Sequence, residues 1–307
     1  MRRTLLAAFA CLIALATPAV ADGSVGARET LGFGRLLTND FLGDGKDRWR
    51  TGSYALSLVW GPEWSGRLPK RFGSLIEYRL RTEIITPDKL NRVVADDRQY
   101  IGAASLGVHT HFLHGGTELS FGADLVFVGE QTRIGKFQKN FHDWVDAAEV
   151  EILDDQLGNN AYLTGLMEIA QPYRLNHNLT IRPYFEAQVG VENLLRIGGD
   201  MHWGLIGQDD FWIRDVATGQ RYRAIASDEM LGVALTFGGD VTFVSDSIYL
   251  QESGRVTLKE TRYRLRVGVT FQGLGPGVFY GLTYLGEEFE EQDGSQLVGS
   301  IRVSFRF

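Results

Sequence analysis

The segment TRYRLRVGVTF, Thr261–Phe271, alternates between two kinds of side chain. Successive side chains of a strand point to opposite faces, so Arg262, Arg264 and Arg266 share one face and apolar residues occupy the other. A strand of a soluble β-sandwich also alternates, so alternation alone does not decide the fold. Three arginines opposite a continuous apolar face are typical of a strand with a polar lumen on one side and lipid on the other. The segment therefore predicts a strand of a transmembrane β-barrel.

The same alternation recurs in other segments, including Ile181–Val191 and Leu297–Phe307. A transmembrane strand needs about 9–11 residues, and roughly twelve segments of that length can be placed, an even number as bacterial barrels require. The chain also ends on Phe307, a terminal aromatic residue like that of outer-membrane proteins. We predict an all-β protein, a transmembrane antiparallel β-barrel of about twelve strands. The strands are expected near 29–39, 50–60, 72–85, 99–113, 116–128, 161–173, 179–193, 197–205, 229–243, 259–272, 277–287 and 296–307.

Residues 1–21, MRRTLLAAFACLIALATPAVA, have the pattern of a secretory signal peptide. A short basic head precedes an apolar centre, and the segment closes on a small-x-small cleavage pattern. We predict a signal peptide at 1–21 and one outer-membrane β-barrel domain over 22–307. The chain's one cysteine, Cys11, lies inside the signal segment, so the remaining chain would be stabilised by a closed sheet rather than by disulfides.

The formal charge is −7, and it becomes −9 when the two arginines of residues 1–21 are removed. This acidic balance argues against a nucleic-acid partner, whose phosphates require a basic surface. The 37 glycines and only 7 prolines indicate a protein with many turns between strands. After residue 21, no apolar run reaches the roughly 20 residues that a membrane-spanning helix needs.

The order of the predicted strands brings polar residues to one rim of the barrel. With both termini periplasmic, Phe41–Trp49, Thr86–Arg98 and Gly129–Asn160 are the outer connections of the first half of the chain. Asn39-Asp40 then ends the first strand and Thr51 opens the second, at the same rim. Connections at the opposite rim are expected to be short, and Gly207–Asp228 is unusually long for one.

The longest outer connection predicts a helix. Residues Gln138–Val150 contain no Pro or Gly, and a helix there would place His142, Val145 and Glu149 at compatible spacing. A neutral imidazole can take a proton from water near pH 7. An Asp beside other oxygen atoms can bind calcium, which can polarise an ester carbonyl. One His with a carboxamide, a carboxylate and a hydroxyl therefore suggests hydrolysis.

Each of these residues also has a structural interpretation. A lone His in a loop is usually solvated, Asn-Asp is usually a turn or a cap, and Thr-Gly-Ser usually begins a strand. His109 and His111 share a strand face and could chelate a metal, but a polar lumen explains them more simply. The spacing of the residues leaves these alternatives open.

Taken in order, several short motifs resemble the outer-membrane lipid A 3'-O-deacylase family. The motifs are TND at 38–40, DRWRTGS at 47–53, TPDKLNRVVADDRQYIG at 86–102, QKNFHDW at 138–144 and DDQLGN at 154–159. The resemblance implies a twelve-stranded barrel in the outer membrane. It also implies a calcium-dependent hydrolase that removes the 3'-linked acyloxyacyl chain from lipid A of lipopolysaccharide in the outer leaflet.

The resemblance also implies site residues. His142 would be the general base for a water, and Asp40 would help to hold calcium. Asn39 and Thr51 would line the same site, and Gln138 would support or orient the loop helix. A basic residue in the second outer connection would meet a lipid A phosphate. Arg92 and Lys89 are the candidates for it, and Arg98 is a better-matched position.

The chain departs from the family pattern at three places. Arg50 stands where the family usually has Tyr, Ile152–Gln156 is a reduced form of a Gly-Trp-Asp-x-Gln pattern, and Asp143–Asp146 replaces an apolar-Gly continuation. Two other functions therefore remain as alternatives. One is a passive, porin-like channel whose lumen arginines set anion preference. The other is an outer-membrane phospholipase, although the close His and Ser of that family are not visible in one strand here.

Overall fold

The computed structural model describes residues 28–227, 230–251, 254–274 and 276–304. The predicted signal segment 1–21 and the terminal Phe307 lie outside these residues. Within them, no helix has the length and apolar character needed to cross a membrane.

Among the described residues, twelve antiparallel strands close into one barrel. The sheet is continuous, and its end strands at 160–170 and 179–189 pair with each other to complete the circle. A sheet in lipid requires such closure because no water can satisfy free N–H and C=O groups at a strand edge. The barrel strands are β1 Glu29–Asn39, β2 Trp49–Gly61, β3 Leu75–Thr86, β4 Ile101–His114, β5 Thr117–Val128, β6 Asn160–Ala170, β8 Leu179–Val189, β9 Glu192–Gly204, β12 Gly232–Ser247, β13 Thr261–Gln272, β14 Gly277–Leu285 and β15 Gln296–Ser304.

The predicted fold class is confirmed, and each predicted strand has a counterpart. The largest differences are at the start of β9 and at the ends of β8 and β12. The strand expected at 197–205 begins at Glu192, the strand expected at 179–193 ends at Val189, and the strand expected at 229–243 continues to Ser247. The residues after β6 form a separate short strand, β7 Tyr173–Asn176, that pairs with β8.

The two faces of β13 point to the lumen and to the outer wall, as the sequence predicted. Arg262, Arg264 and Arg266 are buried on the lumen side, whereas Tyr263 and Leu265 are exposed on the outer wall. The lumen arginines are paired, as buried charges must be. The guanidinium of Arg264 donates to Asp240 at 2.9 Å, and Arg266 forms ion pairs of 2.6 Å with Asp240 and with Asp200.

The long connection after β9 folds into a two-stranded hairpin, β10 Phe211–Arg214 and β11 Arg221–Ile225. This lumen hairpin contacts opposite sides of the barrel. The Tyr222 hydroxyl lies 2.8 Å from Ser57 Oγ on β2, and Arg214 donates to Glu168 on β6. Gln220 Nε2 donates at 3.2 Å to backbone carbonyls of β13 and β14. The length of this connection is explained by a segment that returns into the lumen and packs there.

Glycine on β1 lets the lumen hairpin approach the wall closely. A Cβ on Gly32 would overlap the backbone of Ala224 in β11, and a Cβ on Gly34 would lie 2.8 Å from the Tyr222 ring. Phe211, Ile213 and Tyr222 are buried in an apolar cluster with residues of β1, β2 and β14. The lumen at this level is therefore a packed interior.

Short helical segments lie in the connections between strands. The main helix, α1, spans Ile134–Val145, and a single turn, α2, spans Ile248–Gln251. Three 3-10 segments span Asp40–Leu42, Glu130–Thr132 and Ile152–Asp155.

The predicted helix at Gln138–Val150 lies four residues earlier at its start and ends five residues earlier. It ends because Asp146 adopts left-handed backbone geometry, with φ of 57°. The helix includes Gly135, where a Cβ would lie 2.8 Å from the Leu153 side chain and 3.2 Å from Tyr100. Glycine here permits close packing of α1.

Candidate active site

Helix α1 packs against the outward face of the barrel wall, at the rim where β1–β2, β3–β4 and β5–β6 are connected. Gly102 on β4 alternates with the buried, lumen-facing Ala103 and therefore points outward, like the exposed Leu106 and Val108 further along the strand. A Cβ on Gly102 would lie only 3.0 Å from Ile134 of α1. The candidate site lies between this helix and the wall.

The connections at this rim are tied to one another below α1. Leu90, Tyr100, Val150 and Ile152 form a buried apolar cluster. The Glu151 N–H donates to the Leu90 carbonyl at 2.9 Å. These contacts fix the second and third connections as one unit, so the residues of α1 have defined neighbours.

Asp47, in the connection before β2, joins the predicted site residues. His142 Nε2 lies 3.0 Å from Asp47 Oδ2. The Thr51 hydroxyl donates to Asp47 Oδ1 at 2.6 Å, and Gln138 Nε2 donates to the same oxygen at 3.3 Å. Tyr100 holds Gln138 in turn, since its hydroxyl donates to Gln138 Oε1 at 2.9 Å. His142, Thr51 and Gln138 are thus brought together by one carboxylate.

One hydrogen bond to the backbone fixes the His142 ring. Nδ1 lies 2.7 Å from the Ala148 carbonyl, which can only accept, so Nδ1 carries a hydrogen. Nε2 lies 3.0 Å from Asp47 Oδ2, at ion-pair distance. With Nδ1 held by a backbone carbonyl, Nε2 is the ring nitrogen that remains for chemistry at the site.

Asp40 is buried beside this group, with 2% of its surface exposed. The Arg48 N–H donates to Asp40 Oδ2 at 3.0 Å. Burial raises the pKa of Asp40 to about 8, the nearby Thr51 hydroxyl and Arg48 N–H act in the opposite direction, and the Asp47 carboxylate adds to the increase. No Lys or Arg side chain in the described part of the chain forms an ion pair with Asp40, so the carboxyl has no cation beside it.

Asn39 ends β1 next to Asp40. Its Oδ1 accepts a 2.9 Å hydrogen bond from the Phe41 N–H, so it caps the 3-10 segment Asp40–Leu42. Its Nδ2 lies 3.3 Å from the place that a Cβ on Gly52 would occupy. Glycine at 52 therefore leaves room for the Asn39 amide beside the start of β2.

The predicted basic residues are placed differently. Arg92 is exposed in the β3–β4 connection, and Lys89 pairs with Asp88 at 2.8 Å. Arg98 is almost completely buried, with 1% exposed, and donates to Glu288 at 2.5 Å. None of the three contacts the His142–Asp47 pair among the described residues.

Arg50, the departure from the family's Tyr, has a defined place in the structure. Its guanidinium points into the lumen and forms ion pairs with Glu83 at 2.5 Å, Glu288 at 2.8 Å and Glu192 at 3.3 Å. Arg98 shares Glu288. This ionic cluster lies on the lumen side of the rim.

Asp47 is the member of the site that the sequence analysis did not single out. It lies in the quoted motif DRWRTGS, but in a loop rich in charged residues where an Asp carries no special signal. Its position depends on a β-bulge between Trp49 and Gly52 and on the left-handed φ of 51° at Trp49. That backbone geometry is not encoded by a glycine, so the spacing of the motif did not predict it.

A calcium site would require several oxygen ligands close to Asp40. In the described residues, no group of three or more His, Cys, Asp or Glu side chains is arranged to hold a metal ion. Calcium, however, also takes carbonyl, amide and hydroxyl oxygens. A buried carboxyl without a cation partner, Asp40, beside the Thr51 hydroxyl and the Asn39 amide fits such a hard cation.

His109 and His111 lie in the lumen and do not form part of this group. His111 Nε2 is 2.9 Å from Glu77 Oε2, and His109 Nε2 is 3.3 Å from Asp124 Oδ1. Each histidine thus has its own carboxylate partner, which agrees with the simpler interpretation of a polar lumen.

The closed barrel, its apolar outer wall and the polar cluster at one rim define a membrane-spanning β-barrel protein with an enzyme-like site. A family model described as outer membrane protein LpxR matches residues 5–307. The chain therefore belongs to the LpxR outer membrane protein family, and the family assignment made from the sequence motifs is confirmed.

The solved structure of an LpxR protein supports the fold. LpxR from Salmonella typhimurium superposes with a TM-score of 0.72 at 17% identity, covering 91% of this chain and 100% of that one. The β domain of the Bordetella autotransporter BrkA gives a TM-score of 0.43 at 12% identity, covering 92% of this chain and 100% of that one. A search of curated proteins found no match.

Proposed function

We propose that the protein is an outer-membrane hydrolase that removes the 3'-linked acyloxyacyl chain from lipid A of lipopolysaccharide. The observation that carries the proposal is the pairing of His142 with Asp47 beside Thr51 and Asp40, between α1 and the outward face of the wall. A site on the outward face is next to lipid, whereas a site in the lumen is not. Membership in the LpxR family supports the same function.

His142 is proposed as the general base. Its Nδ1–H is held by the Ala148 carbonyl, so the lone pair of a neutral ring is at Nε2. Nε2 takes a proton from water, and the water oxygen forms a bond to the ester carbonyl carbon. The ester C–O bond then breaks, and the departing sugar oxygen receives the proton from Nε2. General-base catalysis of this kind contributes typically 10²–10⁴-fold to the rate.

Asp47 stabilises His142 while the ring carries the extra proton. Its Oδ2 lies 3.0 Å from Nε2, so the positive charge that develops on the ring is attracted by a nearby carboxylate. The Thr51 hydroxyl and the Gln138 amide bond the other oxygen and fix the direction of the carboxylate. We therefore assign a positioning role to Gln138 and place Thr51 and Asn39 along the ester.

Asp40 is proposed as a calcium ligand, with Thr51 and Asn39 supplying neighbouring oxygens. When bound, calcium would supply positive charge for the ester oxygen that becomes negative as water is added. Arg92 is proposed to meet a phosphate of lipid A, because it is exposed and has no ion-pair partner among the described residues. Arg98 is proposed to support the site from the lumen side of the rim, through its ion pair with Glu288.

The two alternatives are disfavoured by particular observations. A passive channel needs an open lumen, but the lumen hairpin packs Tyr222 against β2 and Arg214 against β6. A phospholipase of the barrel type would need a serine beside its histidine, and the hydroxyl that shares the Asp47 carboxylate with His142 belongs to Thr51.

One experiment separates the three functions. Lipid A and phospholipids from cells that express the intact chain are compared by mass spectrometry with those from cells that express His142→Ala. We expect lipid A that lacks the 3'-linked acyloxyacyl chain only with the intact chain, and unchanged phospholipids. Intact lipid A in both strains would refute the proposed function, and lysophospholipid without lipid A change would support the phospholipase.

A further inference from the structure

Helix α1 presents two faces that differ sharply. The face toward the wall buries Ile134, Gln138 and His142. Next to it runs an exposed aromatic stripe, which we define as Phe137, Phe141, Trp144 and Val145. Trp144 is 81% exposed and Phe137 is 66% exposed, which is unusual for side chains of this size on a single helix.

The stripe is one continuous apolar surface. The Phe137 and Phe141 rings are stacked with centroids 6.3 Å apart, and the Phe141 and Trp144 rings are 6.0 Å apart. With about 3.6 residues per turn, the stripe lies roughly 60° around the helix from Gln138. The same surface is therefore adjacent to the face that carries the candidate site.

We propose that the aromatic stripe of α1 lies in the outer leaflet, at the boundary between lipid headgroups and acyl chains, and holds the substrate lipid beside His142. The first part of this proposal, contact with lipid, does not depend on the activity. The second part rests on the proposed function.

The surface against which α1 packs indicates which molecules cover the aromatic stripe. The helix packs on Gly102, which points outward from β4, and the same strand exposes Leu106 and Val108 further along the wall. That wall is the lipid-facing surface of the barrel, so the stripe continues an apolar surface that lipid already covers. Phe41, 80% exposed beside Asp40, extends the row of Phe33 and Leu37 on β1 in the same way.

The remaining face of α1 is polar. Lys136, Lys139 and Asp143 are exposed on the side away from the stripe. A helix with an aromatic apolar face and a charged face lies in the plane of a membrane interface, where Trp is also favoured. Acyl chains of the outer leaflet, rather than a protein, are the occupant that this arrangement fits.

The depth of the stripe can be measured directly. Cys11 is the only cysteine in the chain. Single cysteines are introduced as Phe141→Cys and Trp144→Cys in a Cys11→Ser background, labelled with a nitroxide, and studied in proteoliposomes that contain lipopolysaccharide. Asp143→Cys is the matched control on the polar face of the same helix. Electron paramagnetic resonance then compares collisions with oxygen, which enters lipid, and with a water-soluble nickel complex.

We expect the labels at 141 and 144 to be reached by oxygen and protected from nickel, and the label at 143 to show the reverse. Equal nickel accessibility at all three positions would overturn the proposal. Dipolar broadening between labels at 141 in separate chains would also overturn it, because the stripe would then be covered by a second copy.

The link to the substrate has its own measurement. Trp144→Ser is expected to lower deacylation of lipid A in proteoliposomes by on the order of tenfold, the loss associated with one large apolar side chain removed from lipid. Asp143→Ser is the control and should keep the activity of the intact chain. If the labels show lipid contact but Trp144→Ser keeps full activity, the substrate-holding part is wrong. If neither variant nor the intact chain cleaves lipid A, the proposed function fails while the depth measurement still decides lipid contact.

Discussion

Replacing Asp47 with asparagine tests the reasoning about the site most directly. Asparagine keeps the size of the side chain, but it removes the negative charge that lies 3.0 Å from His142 Nε2. The charged imidazole then faces a neutral amide while the water is being added to the ester. The protein is expected to bind lipid A as before and to react more slowly.

The size of the effect follows from the contact. Close pairs of opposite charges are coupled by about 1.5 kcal/mol or more. Since about 1.4 kcal/mol corresponds to a factor of ten in rate, Asp47→Asn should lower kcat by roughly tenfold or more. KM should change little, because Asp47 contacts His142, Thr51 and Gln138 rather than the acyl chains or the phosphates.

The assay follows release of the acyloxyacyl chain from purified lipid A in detergent micelles, by mass spectrometry, over a range of lipid concentrations. Asp44→Asn is the matched control, because Asp44 is a carboxylate of the same loop that accepts hydrogen bonds from Lys46 N–H and Leu297 N–H instead. Heat modifiability on gels confirms that the barrels are folded. A kcat within about twofold of the intact chain, or an equal loss in Asp44→Asn, would refute the role of Asp47.

Three other predictions concern the base, the metal and the lumen. His142→Ala should lower deacylation by about 10²–10⁴-fold without loss of heat modifiability, and a smaller loss would assign the base elsewhere. Chelation should stop the reaction and calcium should restore it. Because burial raises the pKa of Asp40 to about 8, a proton competes with calcium below that pH, so the apparent calcium affinity measured by titration should rise as pH approaches 8 and level off above it. Asp40→Ala should remove this pH dependence, and an unchanged profile would contradict the assignment. The intact protein should give no conductance steps in planar bilayers, whereas replacement of residues 209–226 by a flexible linker should open the lumen, and steps from the intact protein would favour the channel.

The barrel could be predicted from the sequence because one physical rule governs each strand. A wall that separates lipid from a polar lumen requires alternation of period two, and Thr261–Gln272 satisfies it at each of Arg262, Arg264 and Arg266. The ends of strands are harder to predict from alternation, because side chains at a rim face neither lipid alone nor the lumen alone. β9 was expected to begin at residue 197 and begins at Glu192, where the side chains contact the buried charges of the rim.

The site could be predicted in part. The strand count placed Asn39, Thr51 and His142 at one rim, and the structure brings Thr51 and His142 to the same carboxylate. It did not predict Asp47, because the left-handed turn at Trp49 depends on packing rather than on a glycine. A left-handed turn made by a residue other than glycine has no local sequence signature. The sequence of the charged loop therefore did not identify Asp47 as the residue that joins the site.

The lumen shows what alternation cannot predict. A polar inner face is equally compatible with a water-filled pore and with a packed interior, since both satisfy a row of arginines. The difference is decided by Gly207–Asp228, whose apolar residues Phe211, Ile213 and Tyr222 have no lipid to face and are buried against the wall. The lumen hairpin therefore obstructs the lumen. The outward face beneath α1 is then the surface where the polar cluster and the lipid leaflet meet, and this is why the placement of that helix carries the functional proposal.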